Sequence, residues 1–268
     1  MANERGPAVA GTFYPGDAQE LRDLVDAYLQ SAKPRDCRPK AMIAPHAGFV
    51  YSGPIAASAY AQIAPLRDVI HRVVLVGPAH RATFRGLATT SADYFLTPLG
   101  KVAVDKDAVR RLAAFPQVQA WDAPHAREHC LEVQLPFLQV MLEDFQIVPV
   151  LVGDATPEEV AEPLDALWGG EETLFVISSD LCHYQDYDLA RHLDHRTSRA
   201  IESLRFEDIA PEDACGRRAI GGLLDLARRH GLQATTLDLR NSGDTAGPKN
   251  QVVGYGAYVF TPCAARNQ

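Results

Sequence analysis

At 268 residues, with 47% apolar and 22% charged residues, the chain has the composition of a soluble globular protein able to bury a sizeable core. A net charge of -8 with no dense lysine and arginine stripe argues against a nucleic-acid binder held by phosphate contacts. No run approaches the roughly 20 apolar residues that span a bilayer, the N-terminus lacks an apolar signal region, and five cysteines without a CxxC pair argue against a disulfide framework. The expectation is a cytoplasmic protein that binds neither nucleic acid nor membrane.

In chain order, Ala8 to Pro15 reads as a short extended segment closed by a Tyr14-Pro15-Gly16-Asp17 turn. Asp17 is placed to cap a helix over Ala18 to Gln30, where Leu21, Leu24, Val25, Tyr28 and Leu29 form one stripe. A first buried strand, Ala41-Met42-Ile43, leads into Pro45-His46, and Pro54 to Ile63 follows as a helix of small residues suited to close packing. Arg72 to Val76 is a second strand, ending in Gly77-Pro78-Ala79-His80. Gly86 to Ala92 and Gly100 to Val104 look like outer strands around a Thr97-Pro98-Leu99-Gly100 turn, and Asp105 caps a helix over Lys106 to Ala114.

Arg127 to Leu142 has helical periodicity through Leu131, Leu135, Leu138 and Leu142, with a break or kink expected at Pro136. Phe145 to Val152 is a strand, and Thr156 with Glu159 forms a capping box for a helix over Pro157 to Trp168. Thr173 to Ile177 is a third histidine-bearing strand, running into Ser178-Ser179-Asp180-Leu181-Cys182-His183. Helices over Asp186 to Leu204 and Ala214 to His230, the latter stopped by Gly231, precede strands at Gln233 to Leu239 and Gln251 to Phe260. Strands alternating with helices, without a repeat or mid-chain linker, imply one α/β domain over residues 1–268: an α/β/α sandwich with a largely parallel central sheet.

Three β-branched runs thus each deliver a histidine just past their C-terminal ends, the edge where open α/β sheets bind ligands. A single loop histidine commonly does no more than hydrogen-bond backbone; the matched placement of His46 and His80 makes them the metal candidates. Cys215 precedes Gly216 at a helix start, where backbone N–H groups and the helix dipole favour thiolate; the competing reading is a small buried hydrophobe. Asp180 is a candidate for orienting a histidine or for a turn cap, and His183 for a general acid/base. Glu128 and His129 begin the helical pattern, where one of them could face the site or both could be solvated. His192 and His195 read as a wet helix face, and His71, His125 and His230 as surface residues. No GxGxxG after a strand, Walker A loop or GxSxG elbow is present.

Six ordered motifs resemble those of the Memo family, whose prokaryotic branch is also called AmmeMemoRadiSam system protein B. They are Ala10-Gly11-Thr12-Phe13-Tyr14-Pro15, Pro45 to Gly53, Gly77-Pro78-Ala79-His80, Glu128 to Phe137, Ser178 to His183 and Cys215 to Ile220. The resemblance implies a fold similar to class III extradiol dioxygenases of the LigB type. It also implies a metal pocket of His46, His80 and Cys215, with iron or copper as the metal and zinc as a further option, and pocket roles for Asp180 and His183. Two functions follow from it: a metal-dependent redox enzyme of unknown small-molecule or peptide substrate, or a non-catalytic metal- or ligand-binding scaffold using the same pocket. A third reading, from the residues, makes Cys215 a nucleophile with His183 as its base. The family name further implies a radical-SAM pathway partner. Phe49 replaces a tyrosine found in many members, Gln134 replaces a histidine of the animal members, and Cys215 stands where the dioxygenases use a carboxylate.

Overall fold

The computed structural model describes residues 2–263. Its centre is a run of parallel strands: β2 (Ala41–Ala44), β3 (Arg72–Pro78), β8 (Gln146–Val152) and β9 (Thr173–Ser178), in the spatial order β8-β3-β9-β2. Nearly every residue of these strands is buried, as expected of Val/Ile-rich runs covered on both faces. Beyond β8, β6 (Gly100–Val104) continues the parallel set, followed by β5 (Tyr94–Thr97) and β1 (Glu4–Arg5). Beyond β2, β12 (Val252–Pro262) runs antiparallel and pairs with β11 (Leu232–Asn241) and the short β10 (His183–Gln185). Two small strands, β4 (Leu87–Thr89) and β7 (Val118–Ala120), complete a twelve-stranded sheet among the described residues. Helices α1 (Ala18–Ser31), α2 (Phe49–Tyr60) and α5 (Leu135–Met141) pack together on one face. Helices α6 (Pro157–Asp165), α7 (Tyr187–Glu202) and α8 (Arg217–Arg229) lie on the other, while α3 (Lys106–Leu112) packs beside β8 and α4 (Asp122–His125) is a single turn against β4. The α/β sandwich with a largely parallel sheet is therefore the observed architecture.

The expected caps are present. Asp17 accepts from Gln19 and Glu20 N–H, Asp105 from Ala108 N–H, and Thr156 and Glu159 form the reciprocal box. Gly231 closes α8 with φ +63°, a conformation that favours glycine.

Several boundaries differ from the sequence expectation, each for a local reason. Helix α2 starts at Phe49 rather than Pro54, because Gly53 serves as a contact: the ring of Tyr28 on α1 fills the space a Cβ would take. The partner of β6 is Tyr94–Thr97 rather than Gly86 to Ala92, since the two-residue loop Pro98-Leu99 joins only the residues next to it. Ala8 to Pro15 is not extended. It folds into turns, with Gly11 N–H bound to Tyr14 O, around the buried carboxylate of Glu132, which accepts from Ala8 N–H, Val9 N–H and the Tyr14 hydroxyl. Of the stretch before Pro136, only Glu132–Gln134 is helical, as a 3-10 turn that leads into α5, and Pro136 sits in the first turn of α5 instead of kinking it, because a proline lacks the N–H that the first turn leaves unbonded anyway.

His125 is a further correction. It is buried rather than on the surface, bonded through Nε2 to Ala88 O, and burial lowers its pKa to about 4.

Asp194 on α7 shows how tightly this layer packs. It is buried, accepts from Cys182 N–H, and sits where a side chain on Gly254 would be. Burial raises its pKa to about 6, above the value of an unfolded chain. The folded state therefore holds that proton more tightly, and stability from this group is present below about pH 4 and lost as pH rises through about 6. We expect Asp194→Asn, which keeps the acceptor for Cys182 N–H, to raise the melting temperature at pH 8. Its stability gain should be on the order of 1–3 kcal/mol and should vanish at pH 4. Thermal melts of both proteins at the two pH values check this.

Candidate metal centre

Because β2, β3 and β9 run parallel, the loops after them open at one edge of the sheet, and β9 lies between the other two. His46 enters from β2 and His80 from β3. Cys215 enters from the segment before α8, whose Cys215 N–H bonds Asp180 O and whose Gly216 N–H bonds Ser179 Oγ. A Cβ on Gly216 would collide with Ser179, so glycine is required for this close approach. One donor atom each from His46, His80 and Cys215 lies within 4.8 Å of the others, and Cys215 Sγ is 3.3 Å from His46 Nε2.

The protons on both imidazoles follow from their partners. Ser178 Oγ lies 2.6 Å from Cys130 O, a group that can only accept, so the single hydroxyl proton goes there. The hydroxyl must then accept from Gln134 Nε2 at 2.8 Å and from His46 Nδ1 at 2.8 Å. His46 therefore carries its proton on Nδ1, and its Nε2 lone pair faces Cys215. Burial, followed by the neighbouring histidines His80 and His129, keeps His46 well below its ordinary pKa, in the neutral form that ligates metals. His80 Nδ1 donates to the Glu128 carboxylate at 2.9 Å, which leaves its Nε2 free as well. The carboxylate also accepts from the N–H groups of His80, His129 and Cys130. Burial alone would raise the Glu128 pKa, but these bonds, led by that from His80 Nδ1, bring it down to about 2. The bonds from His129 and Cys130 are also why these residues are not helical: their N–H groups go to a carboxylate.

Cys215 departs from expectation. Burial, reinforced by the charge of Asp180, pushes its thiol well up despite the helix start, so without a metal it is a protonated thiol. The imidazole in contact with its sulfur is that of His46, at 3.3 Å from Nε2. Asp180 acts on backbone: its Oδ1 accepts from His46 N–H at 2.7 Å and fixes the loop that carries the ligand. Burial raises the Asp180 carboxyl, partly offset by that bond. His183, on β10, lies close enough for its charge to bear on both Asp180 and His46.

Both Glu128 and His129 face the site. His129 stacks on His80 with ring centroids 4.9 Å apart, and a second possible ligand group consists of His80, Glu128 and His129. The sequence marks Gln134 only as a replacement for a histidine of the animal members and Ser178 only as the start of a strand-end motif; their bonding to His46 and to each other comes from the structure.

The remaining site candidates are as expected or structural. His192 and His195 are exposed on α7, and His71 is exposed. His230 stacks on Trp168 at 3.8 Å and bonds Asp165, which makes it a packing residue rather than a free surface one. The five cysteines are unpaired thiols. No helix of the described residues is long and apolar enough to cross a membrane.

A family model described as "Memo-like protein" matches residues 5–259. A "MEMO1 family protein" of Aquifex aeolicus is 35% identical, with 96% of this chain and 98% of that one covered. Another, from Saccharolobus solfataricus, is 33% identical over 96% of this chain and 99% of its own. Among solved structures, an uncharacterized protein of Escherichia coli K12 aligns with a TM-score of 0.49 at 14% identity, covering 83% of this chain and 100% of that one.

Glu128 gives a direct test of the tautomer argument. Glu128→Gln retains an acceptor and the size of the side chain but can no longer hold His80 by charge. We expect it to fold and to lose metal affinity by about 10–100-fold, as measured by competition with a chromophoric chelator.

Proposed function

Because the chain belongs to the Memo-like family, we propose that it is a metal-dependent redox enzyme whose metal is held by His46 Nε2, His80 Nε2 and Cys215 Sγ. The observation that carries this reading is the convergence of two imidazole nitrogens, each with its proton committed elsewhere, on one half-buried thiol. A pair of histidines placed only for packing would not need both far nitrogens saturated by a serine and a carboxylate. Two nitrogens and a sulfur suit iron, copper or zinc, and the soft sulfur favours copper(I) or zinc over a purely oxygen-ligated set. Iron or copper held there supplies one-electron chemistry and, with only three protein donors, room for an exogenous ligand.

The protein residues have separable tasks. Ser178 and Glu128 hold the imidazoles in the ligating tautomer. Asp180 fixes the His46 backbone. Cys215 gives up its proton when a cation arrives, since a buried thiol is costly to ionise without one and a metal reverses that balance. His183 is the candidate for moving a proton to or from a bound ligand.

The test is the metal content of protein purified without oxygen, by elemental mass spectrometry. We expect close to one iron or copper per wild-type chain, and at least a tenfold loss in His46→Ala, His80→Ala and Cys215→Ser, each shown to be folded by circular dichroism. Wild-type protein that remains metal-free after reconstitution overturns the reading. Stoichiometric metal without oxygen consumption across a panel of phenols and thiols favours a metal-binding scaffold over an enzyme.

A further inference from the structure

The back of the site is saturated with hydrogen bonds, and the front is not. Tyr255 on β12 is only 2% exposed, yet its hydroxyl has no hydrogen-bond partner among the described residues. It differs from the Tyr258 hydroxyl, which is also unpartnered but sealed in the core. The Tyr255 ring is buried while its hydroxyl, unlike that of Tyr258, is not sealed, so the tip of the phenol reaches accessible space where a ligand could meet it.

Its position follows from the strand. Side chains on β12 alternate, and positions 254 and 256 point toward α7, where a Cβ at Gly254 would meet Asp194 and one at Gly256 would meet the Tyr258 ring. Tyr255 therefore points to the opposite face, where α2 packs. Along the strand it lies at the level of the site, because Gly254 exchanges both backbone bonds with the loop there: Leu181 N–H to Gly254 O and Gly254 N–H to Cys182 O, each 2.8 Å. The charged and polar groups that bear on it are Asp180, Tyr51 and Tyr184. Asp180 contributes a second open atom, since its Oδ1 is taken by His46 N–H and its Oδ2 has no partner among the described residues. Tyr184, next to His183, is 69% exposed and held at φ +57°, a backbone conformation that a tyrosine adopts only where its surroundings impose it.

We propose that the Tyr255 hydroxyl is a ligand-positioning group of this site, donating a hydrogen bond to an acceptor atom of an anionic or oxygen-bearing ligand that occupies the open position beside His46, His80 and Cys215. This rests on the metal reading above. Burial, with the charge of Asp180 second, pushes the phenol up, so it stays a donor throughout the physiological range. Tyr255 would not coordinate. It would set where the far end of the ligand lies, and it would discriminate against ligands that present only apolar atoms there, because those would leave the donor unpaired.

The experiment uses the full chain loaded with cobalt(II), whose absorption bands report coordination, titrated with azide as the probe anion. Tyr255→Phe keeps the ring and removes only the hydroxyl. The expected result is cobalt stoichiometry and melting temperature as in wild type, with azide affinity lowered about tenfold, the loss of one hydrogen bond to a charged acceptor. Tyr258→Phe, which removes a hydroxyl sealed in the core, should leave azide affinity unchanged. Unchanged affinity in Tyr255→Phe, or no azide response from cobalt-loaded wild type, overturns the role of Tyr255 and leaves the metal centre standing. Failure of wild type to take up cobalt removes the metal centre and this inference with it.

Discussion

One hydroxyl proton organises the candidate centre. Ser178, the last residue of the central strand β9, gives that proton to Cys130 O and receives bonds from His46 and Gln134. Gln134 can serve only because its own oxygen is taken by the Tyr60 hydroxyl at 2.7 Å, and its second N–H by Pro45 O at 2.9 Å. The chain Tyr60–Gln134–Ser178–His46 is thus directional: reversing any amide or hydroxyl would set two donors or two acceptors against each other in a buried space, at a cost on the order of 1–3 kcal/mol. The direction ends at His46 Nε2, which has nowhere to point but into the site. Gln134 stands where the animal relatives were expected to carry histidine. Here an amide supplies both the acceptor and the two donors that the network requires.

The same edge gathers charge in a way that favours a cation over a free anion. His46 is held neutral by burial, Cys215 is held as a neutral thiol by burial, and Glu128 is held as an anion by four N–H bonds. Of the three donors, His46 and Cys215 carry no charge that a metal would have to find desolvated. A cation held there would take the place of one proton on Cys215, and the thiolate would offset its charge. The helix dipole at the start of α8 favours thiolate, which is one of two readings of Cys215, the other being a small buried hydrophobe. A dipole effect of under a few kcal/mol near a helix end does not match the desolvation of a buried anion.

Much of this was legible in the sequence because it followed from periodicity and strand ends. The buried β-branched runs fixed the parallel strands, and parallel strands put His46, His80 and Asp180 at one edge whatever the loops did. Capping residues such as Asp17, Asp105 and Thr156 act within three residues and were equally readable. What could not be read were partners distant in the chain. The amides of His129 and Cys130 leave the helix for a carboxylate whose own orientation is set by His80, 48 residues away. The carboxylate of Glu132, more than 115 residues from its partners, turns Ala8 to Pro15 into a compact fold. His125 looked like a surface residue because nothing nearby in sequence announces the carbonyl of Ala88 that holds it inside. Periodicity reports which way a side chain points, not which buried polar group it must satisfy.

The contrast between the two sides of the centre bears on whether it only stores a metal. A storage or structural site gains from closing every polar group around the ion, and the back of this one is closed: Ser178, Glu128 and Gln134 have their bonding capacity filled by protein. On the front, Tyr255 is buried without a partner for its hydroxyl, Asp180 is buried with one oxygen free, and Tyr184 is exposed in a strained backbone conformation. The first two keep a polar atom without a protein partner, and the third holds a backbone conformation that glycine would adopt more readily. Local rules broken together on one side of an otherwise satisfied structure are what a ligand-binding face looks like before its ligand arrives.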